Sequence, residues 1–390
     1  MTRLGEASDM LVGFAFKSAG FLDADSEGVR LLRGDNVQQG YIRWGDKAKK
    51  WPTAQCDELE RYQLAEGDVI LAMDRPIVGN GLKMAWIRQE DLPVLLVQRV
   101  CRLRGNQGVA LTNFIRYVLA APDFSAHIQR ITTGANIPHI SGKDIAAYEF
   151  ELPGHDDQAR IVESLSAYDD LIATNQRRIA LLEDAARRLY REWFVHLRFP
   201  GHESVPVKDG VPRGWEIKPL GNVAPLNYGK ALKAIDRKEG SVPVYGSSGI
   251  VGTHNAALVE RGAIVLGRKG NVGSLFFSPV PCFPIDTVFY ISPAQASYRL
   301  FLALHQLNFI SSDAAVPGLN RTYAHSLPVL QPNHDIAAAF ERMVQPVFEQ
   351  SQHLTGQNAR LARARDLLLP KLMSGQLDVS AIRLPEEVAA

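Results

Sequence analysis

Arg268-Lys269-Gly270-Asn271 sets a forked cation, a point cation and a carboxamide side by side, with Gly267 before them and Gly273 after. Arg can fork onto guanine and Asn onto adenine in the major groove, while Lys suits a phosphate. The glycines would let the backbone approach a ligand closely. The run follows Ala263-Ile264-Val265-Leu266, which reads as a strand, so it would sit on a strand-end turn. A plain hairpin turn with incidental charge has the same signature. The first half of the chain offers Asp74-Arg75-Pro76-Ile77-Val78-Gly79-Asn80-Gly81 at the corresponding place, with Lys83 following. Three further groups could contact a polyanion. Lys47, Lys49 and Lys50 lie beside Trp44 and Trp51; Lys230, Lys233, Arg237 and Lys238 form a basic cluster with little acid; Tyr245-Gly246-Ser247-Ser248-Gly249 is a flexible polar loop. Basic residues among aromatics can neutralise phosphates and pack on a sugar–phosphate backbone. Ordinary solvated loops and turns look alike at this level. The candidate DNA contacts are therefore Lys47, Lys49, Lys50, Arg75, Asn80, Lys83, Lys230, Lys233, Arg237, Lys238, Tyr245, Ser247, Ser248, Arg268, Lys269 and Asn271.

Groups for bond-making are missing. No Asn/Asp-Pro-Pro-Tyr/Phe run is present to hold a flipped adenine, and no G-x-G-x-x-G stands between a strand and a helix. There is no G-x-x-x-x-G-K-[ST], and the ten histidines show no metal-ligand spacing. Asp68 or Asp286 near lysines could imitate a nuclease centre, but loose acid–lysine combinations arise readily by chance. The expectation is no catalytic residue and no metal site. With 390 residues, 46% hydrophobic and 22% charged, the chain reads as globular, and a formal net charge of +1 neither requires nor excludes nucleic acid. Three scattered cysteines, Cys56, Cys101 and Cys282, fit a reducing compartment. No apolar run approaches the roughly 18 residues of a membrane span, and Met1-Thr2-Arg3-Leu4-Gly5-Glu6 has no signal-peptide core, so a cytoplasmic location is expected.

The elements that must position these candidates come in two textures. Residues 1 to about 150 and 205 to about 330 hold short apolar runs bounded by Gly and Pro, such as Asp68-Val69-Ile70-Leu71, Val94-Leu95-Leu96-Val97 and Val288-Phe289-Tyr290-Ile291. Such runs predict strands in mixed α/β domains, with one helix in each domain near 111–121 and 297–309. Between and after them the chain is helical, and these parts repeat. Setting Ile137-Pro138-His139-Ile140 over Val316-Pro317-Gly318-Leu319 brings Pro153 onto Pro332, His155-Asp156 onto His334-Asp335, Leu182 onto Leu361 and Leu189 onto Leu368 without a gap. In the first copy Ile161, Leu165, Tyr168, Ile172, Asn175, Ile179, Leu182, Ala186, Leu189 and Trp193 alternate spacings of four and three, a coiled-coil seam on which Asn175 would fix register. In the second, Leu354, Leu361 and Leu368 repeat every seven, while Ser351 and Arg365 fall where the first copy is apolar. Pro346 and Pro370 predict kinks, and the first helix should stop near Phe199-Pro200-Gly201. Neither stripe can be buried alone, so the helices are expected to pack antiparallel on each other. A helix from 161 to 193 would be about 50 Å long, enough to separate two half-sites lying about 34–36 Å apart, one turn of DNA.

These features together resemble the specificity subunits of type I restriction-modification systems. The resemblance is carried by Thr133-Gly134-Ala135-Asn136-Ile137-Pro138-His139-Ile140-Ser141-Gly142-Lys143-Asp144-Ile145, by Leu189-Tyr190-Arg191-Glu192-Trp193-Phe194 and by Val211-Pro212-Arg213-Gly214-Trp215-Glu216-Ile217. Pro243-Val244-Tyr245-Gly246-Ser247-Ser248-Gly249, Gly267-Arg268-Lys269-Gly270-Asn271-Val272-Gly273 and Leu368-Leu369-Pro370-Lys371-Leu372-Met373-Ser374-Gly375 extend it over essentially the whole chain. It implies an α+β protein with two mixed α/β target-recognition domains held apart by an antiparallel helix pair, as a pseudo-twofold repeat. The domains would be 1–152 (first target-recognition domain), 153–200 (central helix), 201–331 (second target-recognition domain), 332–380 (C-terminal helix) and 381–390 (tail). It implies a non-catalytic subunit reading a split, asymmetric site on double-stranded DNA and docking two modification subunits, and through them restriction subunits. S-adenosylmethionine, ATP and Mg²⁺ would belong to those partners, with no cofactor in this chain. Phe194, Leu372 and Met373, at matching helix ends, are the candidate partner contacts. Two other classes stay open at this point: an autonomous DNA methyltransferase or nuclease, and a two-headed scaffold that binds proteins.

Overall fold

The computed structural model describes residues 1–45, 48–78, 81–132, 138–260, 262–309 and 318–378. The chain forms two compact units. Unit 1 combines Met1–Thr174 with the chain from Gln357 onward, and unit 2 is Asn175–Gly356. No helix among the described residues is long and apolar enough to cross a membrane.

Unit 1 has a four-stranded antiparallel sheet in the order Ser8–Val12, Val100–Gly105, Val69–Ala72, Met84–Trp86. Beside it Val29–Leu32 pairs antiparallel with Lys49–Trp51 and parallel with Val94–Leu96, and Thr2–Arg3 pairs with Glu149–Phe150. The central strand Val69–Ala72 is fully buried, as its unbroken apolar run requires. Helix Thr112–Ala120 covers one face through Phe114, Ile115 and Val118, which share a core with Val69, Leu71, Cys101 and Leu103.

Unit 2 repeats this plan. Its four-stranded sheet runs Leu226–Tyr228, Val288–Ile291, Ala263–Gly267, Leu275–Ser278. Val242–Gly246 pairs antiparallel with Gly249–His254 and parallel with Phe283–Pro284, and Glu216–Pro219 pairs with Pro328–Gln331. Helix Tyr298–Leu304 takes the place of Thr112–Ala120. Individual backbone bonds recur as well. Leu4 N–H donates to Tyr148 and Leu220 N–H to Leu327, each at 2.8 Å; Gly13 donates to Val100 at 3.0 Å and Gly229 to Val288 at 3.2 Å; Ile140 donates to Met73 at 2.9 Å and Leu319 to Arg268 at 2.8 Å. Gly13 and Gly229 have the same reason to be glycine. A Cβ would lie 2.3 Å from the Val97 carbonyl oxygen in one and 2.0 Å from that of Ile285 in the other. Short helices start alike: the Ser141 hydroxyl accepts from Asp144 N–H, and the Asn320 side chain accepts from the N–H groups of Thr322 and Tyr323.

The long helices are His155–Tyr190 and His334–Met373. Asp156 and Asp157 open the first beside its positive end, and the pairs Glu183–Arg187 and Asp184–Arg188 support its last turns. The α-helix stops earlier than the predicted Phe199. After Tyr190 it widens into a π-type turn over Arg191–Val195, and Gly201 takes a left-handed conformation at φ 82°. The second helix continues through Pro346 and Pro370, the two positions where kinks are expected, without losing its helical assignment. Each proline removes only one N–H, and packing along the rest of the helix outweighs that loss.

Within each unit the helix segments run antiparallel. In unit 1 Asn358 Nδ2 donates to the Ile172 carbonyl, Arg365 meets Asp169, and Ile161 and Leu165 share the core with Leu369 and Leu372. In unit 2 Trp193 and Tyr190 pack on Phe340, with Ala186 and Val344 in the same core. The seam positions Ile161, Leu165, Tyr168, Ile172, Asn175, Ile179, Leu182, Leu189, Trp193, Leu354, Leu361 and Leu368 are all buried or half-buried. Ser351 and Arg365 lie on the seam too: the Ser351 hydroxyl is buried with no hydrogen-bond partner among the described residues, and the Arg365 guanidinium forks between Asp169 and Asp366.

Candidate nucleic-acid interface

In unit 2 two loops singled out by sequence come together. The turn after strand Ala263–Gly267 lies against the loop after Val242–Gly246. Ser274 Oγ donates to the Ser247 carbonyl at 2.6 Å, and Asn271 Nδ2 reaches Ser248 Oγ at 3.4 Å. Gly270, at φ 77°, leaves room there, since a Cβ would lie 3.1 Å from Ser247 Oγ. Ser248, Lys269 and Asn271 are exposed. Ser247 is buried and joins the two loops through its backbone. Tyr245 requires a correction as a DNA contact. Its ring is buried with Val259, Cys282 and Phe276, and that burial pushes its phenol pKa up. It sits on the inward face of its strand, a choice that residue type alone does not reveal.

Arg268 is half-buried and lies over two rings, 5.1 Å from the centre of Tyr228 and 5.6 Å from that of Phe289, while Nη1 reaches the Asp286 carbonyl at 3.4 Å. Arg321 lies 5.3 Å from the same Tyr228 ring. Lys230, Lys233 and Lys238 are exposed nearby in sequence, whereas Arg237 turns inward and donates to the Val251 carbonyl. Sequence reasoning missed Tyr228 and Arg321. The available signal was Tyr228-Gly229-Lys230, which matches Val12-Gly13-Phe14 once Leu4 is set over Leu220.

Unit 1 treats the equivalent places differently. Lys47 and Asn80 lie outside the described residues. Lys49 and Lys50 stand on strand Lys49–Trp51, where Lys49 pairs with Asp23 and the Lys50 ammonium donates to the Ser26 carbonyl at 2.7 Å. Their neighbours are anchors: Trp44 Nε1 donates to Asp91 at 2.7 Å, and Trp51 packs on Phe16. The expected cation–aromatic patch is thus largely engaged inside the unit. Arg75 is exposed in a left-handed conformation, φ 45°. Lys83 is half-buried; burial lowers its amine pKa against the opposing pull of Asp35 and Asp74. Asp74 accepts from Arg99 at 2.7 Å and bonds His139 Nδ1 at 2.6 Å. Burial works against its charge, but those two bonds hold its carboxyl below the usual range.

The candidate partner residues also need correcting. Phe194 is buried between Tyr190, Trp215 and Phe340, and Leu372 is buried in the unit 1 core. Both pack their own unit, because each ends a seam whose apolar face is already covered. Met373 is half-buried against the unit 1 core.

A twice-built α/β unit with different exposed chemistry on the same frame defines a class of paired recognition domains. A family model described as the type I restriction modification DNA specificity domain matches residues 19–184 and again 212–345, and the chain belongs to that family. It is 36% identical over 174 residues to the type I restriction enzyme EcoAI specificity subunit of Escherichia coli, a match covering 44% of this chain and 28% of that protein. With the MjaIX specificity subunit of Methanocaldococcus jannaschii it shares 23% identity over 306 residues, 70% of each chain. The chain spans less than half the length of some curated relatives it matches, 28% for the EcoAI subunit and 44% for the MjaVIII subunit. In fold it is similar to the crystal structure of a type I restriction-modification S subunit from M. genitalium, with a TM-score of 0.56 at 18% identity and 95% coverage of both chains.

Proposed function

We propose that this chain is the specificity subunit of a type I restriction-modification complex and reads a split, asymmetric site on double-stranded DNA. The observation that carries the reading is the pair of units built on one strand plan with unlike exposed groups: Ser248, Lys269 and Asn271 in unit 2, Arg75 and the Asp74–His139 pair in unit 1. Similar frames with different surfaces suit two different half-sites. The reading heads are 1–152 and 201–331; the helices at 153–200 and 332–380 set the unread spacing and dock two modification subunits, through which restriction subunits join. The chain itself is non-catalytic and carries no cofactor. S-adenosylmethionine for adenine methylation, and ATP with Mg²⁺ for cleavage, act in the partners. Three cysteines, all buried as free thiols, support a cytoplasmic setting.

The test is to purify the chain with its modification subunits and map adenine methylation across a genome. The expected result is methylation at two unlike half-sites separated by a fixed unread spacer. Methylation at one contiguous palindrome, or at no defined site, overturns the proposal.

A further inference from the structure

The corner around Tyr228 differs between the units in a way the frame does not require. Val12 stands where unit 2 has Tyr228, since both precede the glycine that donates to Val100 or Val288. Gly142 stands where unit 2 has Arg321, one position after the helix-capping Ser141 or Asn320. The spatial match holds: a Cβ on Gly142 would lie 3.5 Å from the Val12 methyl, and Arg321 lies over the Tyr228 ring. Met73 stands where unit 2 has Arg268, as the carbonyls that accept from Ile140 and Leu319 show. Unit 1 is therefore apolar and small at three positions where unit 2 places arginine, tyrosine and arginine.

The unit 2 corner is built to hold charge outward. Tyr228 is 48% exposed, yet Gly229 locks its backbone against Ile285. Two guanidiniums rest on one ring, which orients them without consuming their N–H donors. Among the described residues neither Arg268 nor Arg321 pairs with a carboxylate, and Lys269 and Lys230 add exposed ammonium groups on the same strand ends. Cations held together with no carboxylate paired to either arginine among the described residues, although exposed Asp286 offers its backbone carbonyl to Arg268, fit an external anion with several oxygens.

We propose that Tyr228, Arg268 and Arg321 form a clamp for the phosphodiester backbone of duplex DNA, present in unit 2 and without a counterpart in unit 1. This rests on the DNA-reading function proposed above and adds an inequality to it: the salt-sensitive grip comes disproportionately from unit 2. Arg268 and Arg321 bind; Tyr228 is a positioning residue.

The experiment measures the affinity of the full chain for a duplex carrying its methylated site, over a range of salt concentrations. Arg321→Gln and Arg268→Gln each weaken binding about tenfold at low salt, and each lowers the slope of log K against log salt by about one. Tyr228→Leu weakens binding a few-fold with the slope unchanged, because the charges remain, and Tyr228→Phe restores it. Thermal unfolding of each variant excludes loss of the fold, which exposed Tyr228 and Arg321 and half-buried Arg268 should tolerate. A wild-type chain whose DNA binding shows no salt dependence sinks the DNA-reading function itself. A steep wild-type slope left unmoved by both arginine variants overturns the clamp alone, as does a Tyr228→Leu effect that phenylalanine fails to rescue.

Discussion

Beside the apolar cores that both units share with their helices, and the Glu341 carboxylate that accepts from the N–H groups of Tyr298 and Arg299 in unit 2, the units differ at one repeat-related joint. In unit 1 that joint is charged. Asp169 on the first long helix, with a carboxylate only 9% exposed, accepts from Arg116 and from the Tyr117 hydroxyl at 2.9 Å, and pairs with Arg365 of the second helix at 2.6 Å. Arg116 in turn lies 3.4 Å from the centre of the Trp86 ring. Phe348 occupies the repeat position of Asp169, and there the fastener is stacked rings. Phe348 lies parallel to Tyr298 at 4.2 Å, with Phe277 and Phe301 around them. The same frame thus tolerates a directional ionic joint or a shape-dependent one, and the two should fail in different ways.

The largest expected effect comes from breaking the charged joint. Asp169→Ala leaves the buried Arg116 guanidinium without its acid and the half-buried Arg365 with Asp366 alone, and should cost about 3–5 kcal/mol, read as an earlier unfolding transition in urea. Combining it with Arg116→Met and Arg365→Met should recover most of that loss, since an apolar replacement of a buried ion cluster is often neutral. No recovery would mean that packing, not charge, holds the joint. Phe348→Ala should cost about 2–3 kcal/mol, and Phe348→Leu clearly less. If Asp169→Asn proves as mild as Phe348→Leu, the contrast between the joints fails. Where the frame is shared, the units should respond alike. Gly13→Ala and Gly229→Ala each force a methyl onto a carbonyl and should each cost about 1–3 kcal/mol; a large effect in one and none in the other would show that the two glycines are not equivalent. The smallest effect is expected at Ser351, whose buried hydroxyl lacks a partner among the described residues. Ser351→Ala should be neutral or stabilising by under about 1 kcal/mol, and a measurable loss would point to an interaction at that hydroxyl.

The helical frame was readable because its signal is periodic. Four-and-three spacing survives even where Ser351 and Arg365 interrupt it, and the repeat register transfers without a gap from Ile137 to Leu189. The strands around Val69 and Val288 were readable from apolar runs, and the helices near 112 and 298 from their pattern. The matching of the two heads was readable only locally, where the Asp74-Arg75 turn is the counterpart of the Arg268-Lys269 turn, because insertions between strands shift the register several times: Leu4 answers to Leu220 and Ile140 to Leu319, at different offsets. Surface chemistry was legible only in kind. Lys269, Asn271 and Ser248 are exposed on adjoining loops, but Tyr245 faces inward and Lys49 and Lys50 have partners within their unit. Which face of a strand a residue takes, and which acid reaches it, are decided by chain segments far away. Arg116, Asp169 and Arg365 illustrate the same limit, since nothing local marks three residues from three helices as one cluster.

The division of the chain has a consequence for synthesis. Unit 2 is one continuous stretch, Asn175–Gly356, whereas unit 1 needs the chain from Gln357 onward to complete Met1–Thr174. A ribosome therefore releases everything unit 2 needs before unit 1 can close, although unit 1 is begun first. Until Arg365, Leu369 and Leu372 emerge, Asp169 and the Ile161–Leu165 stripe wait uncovered. Of the two units, the one begun first is the last to be finished, so a chain that stalls late presents one completed unit and one open core to the chaperones and proteases of its host.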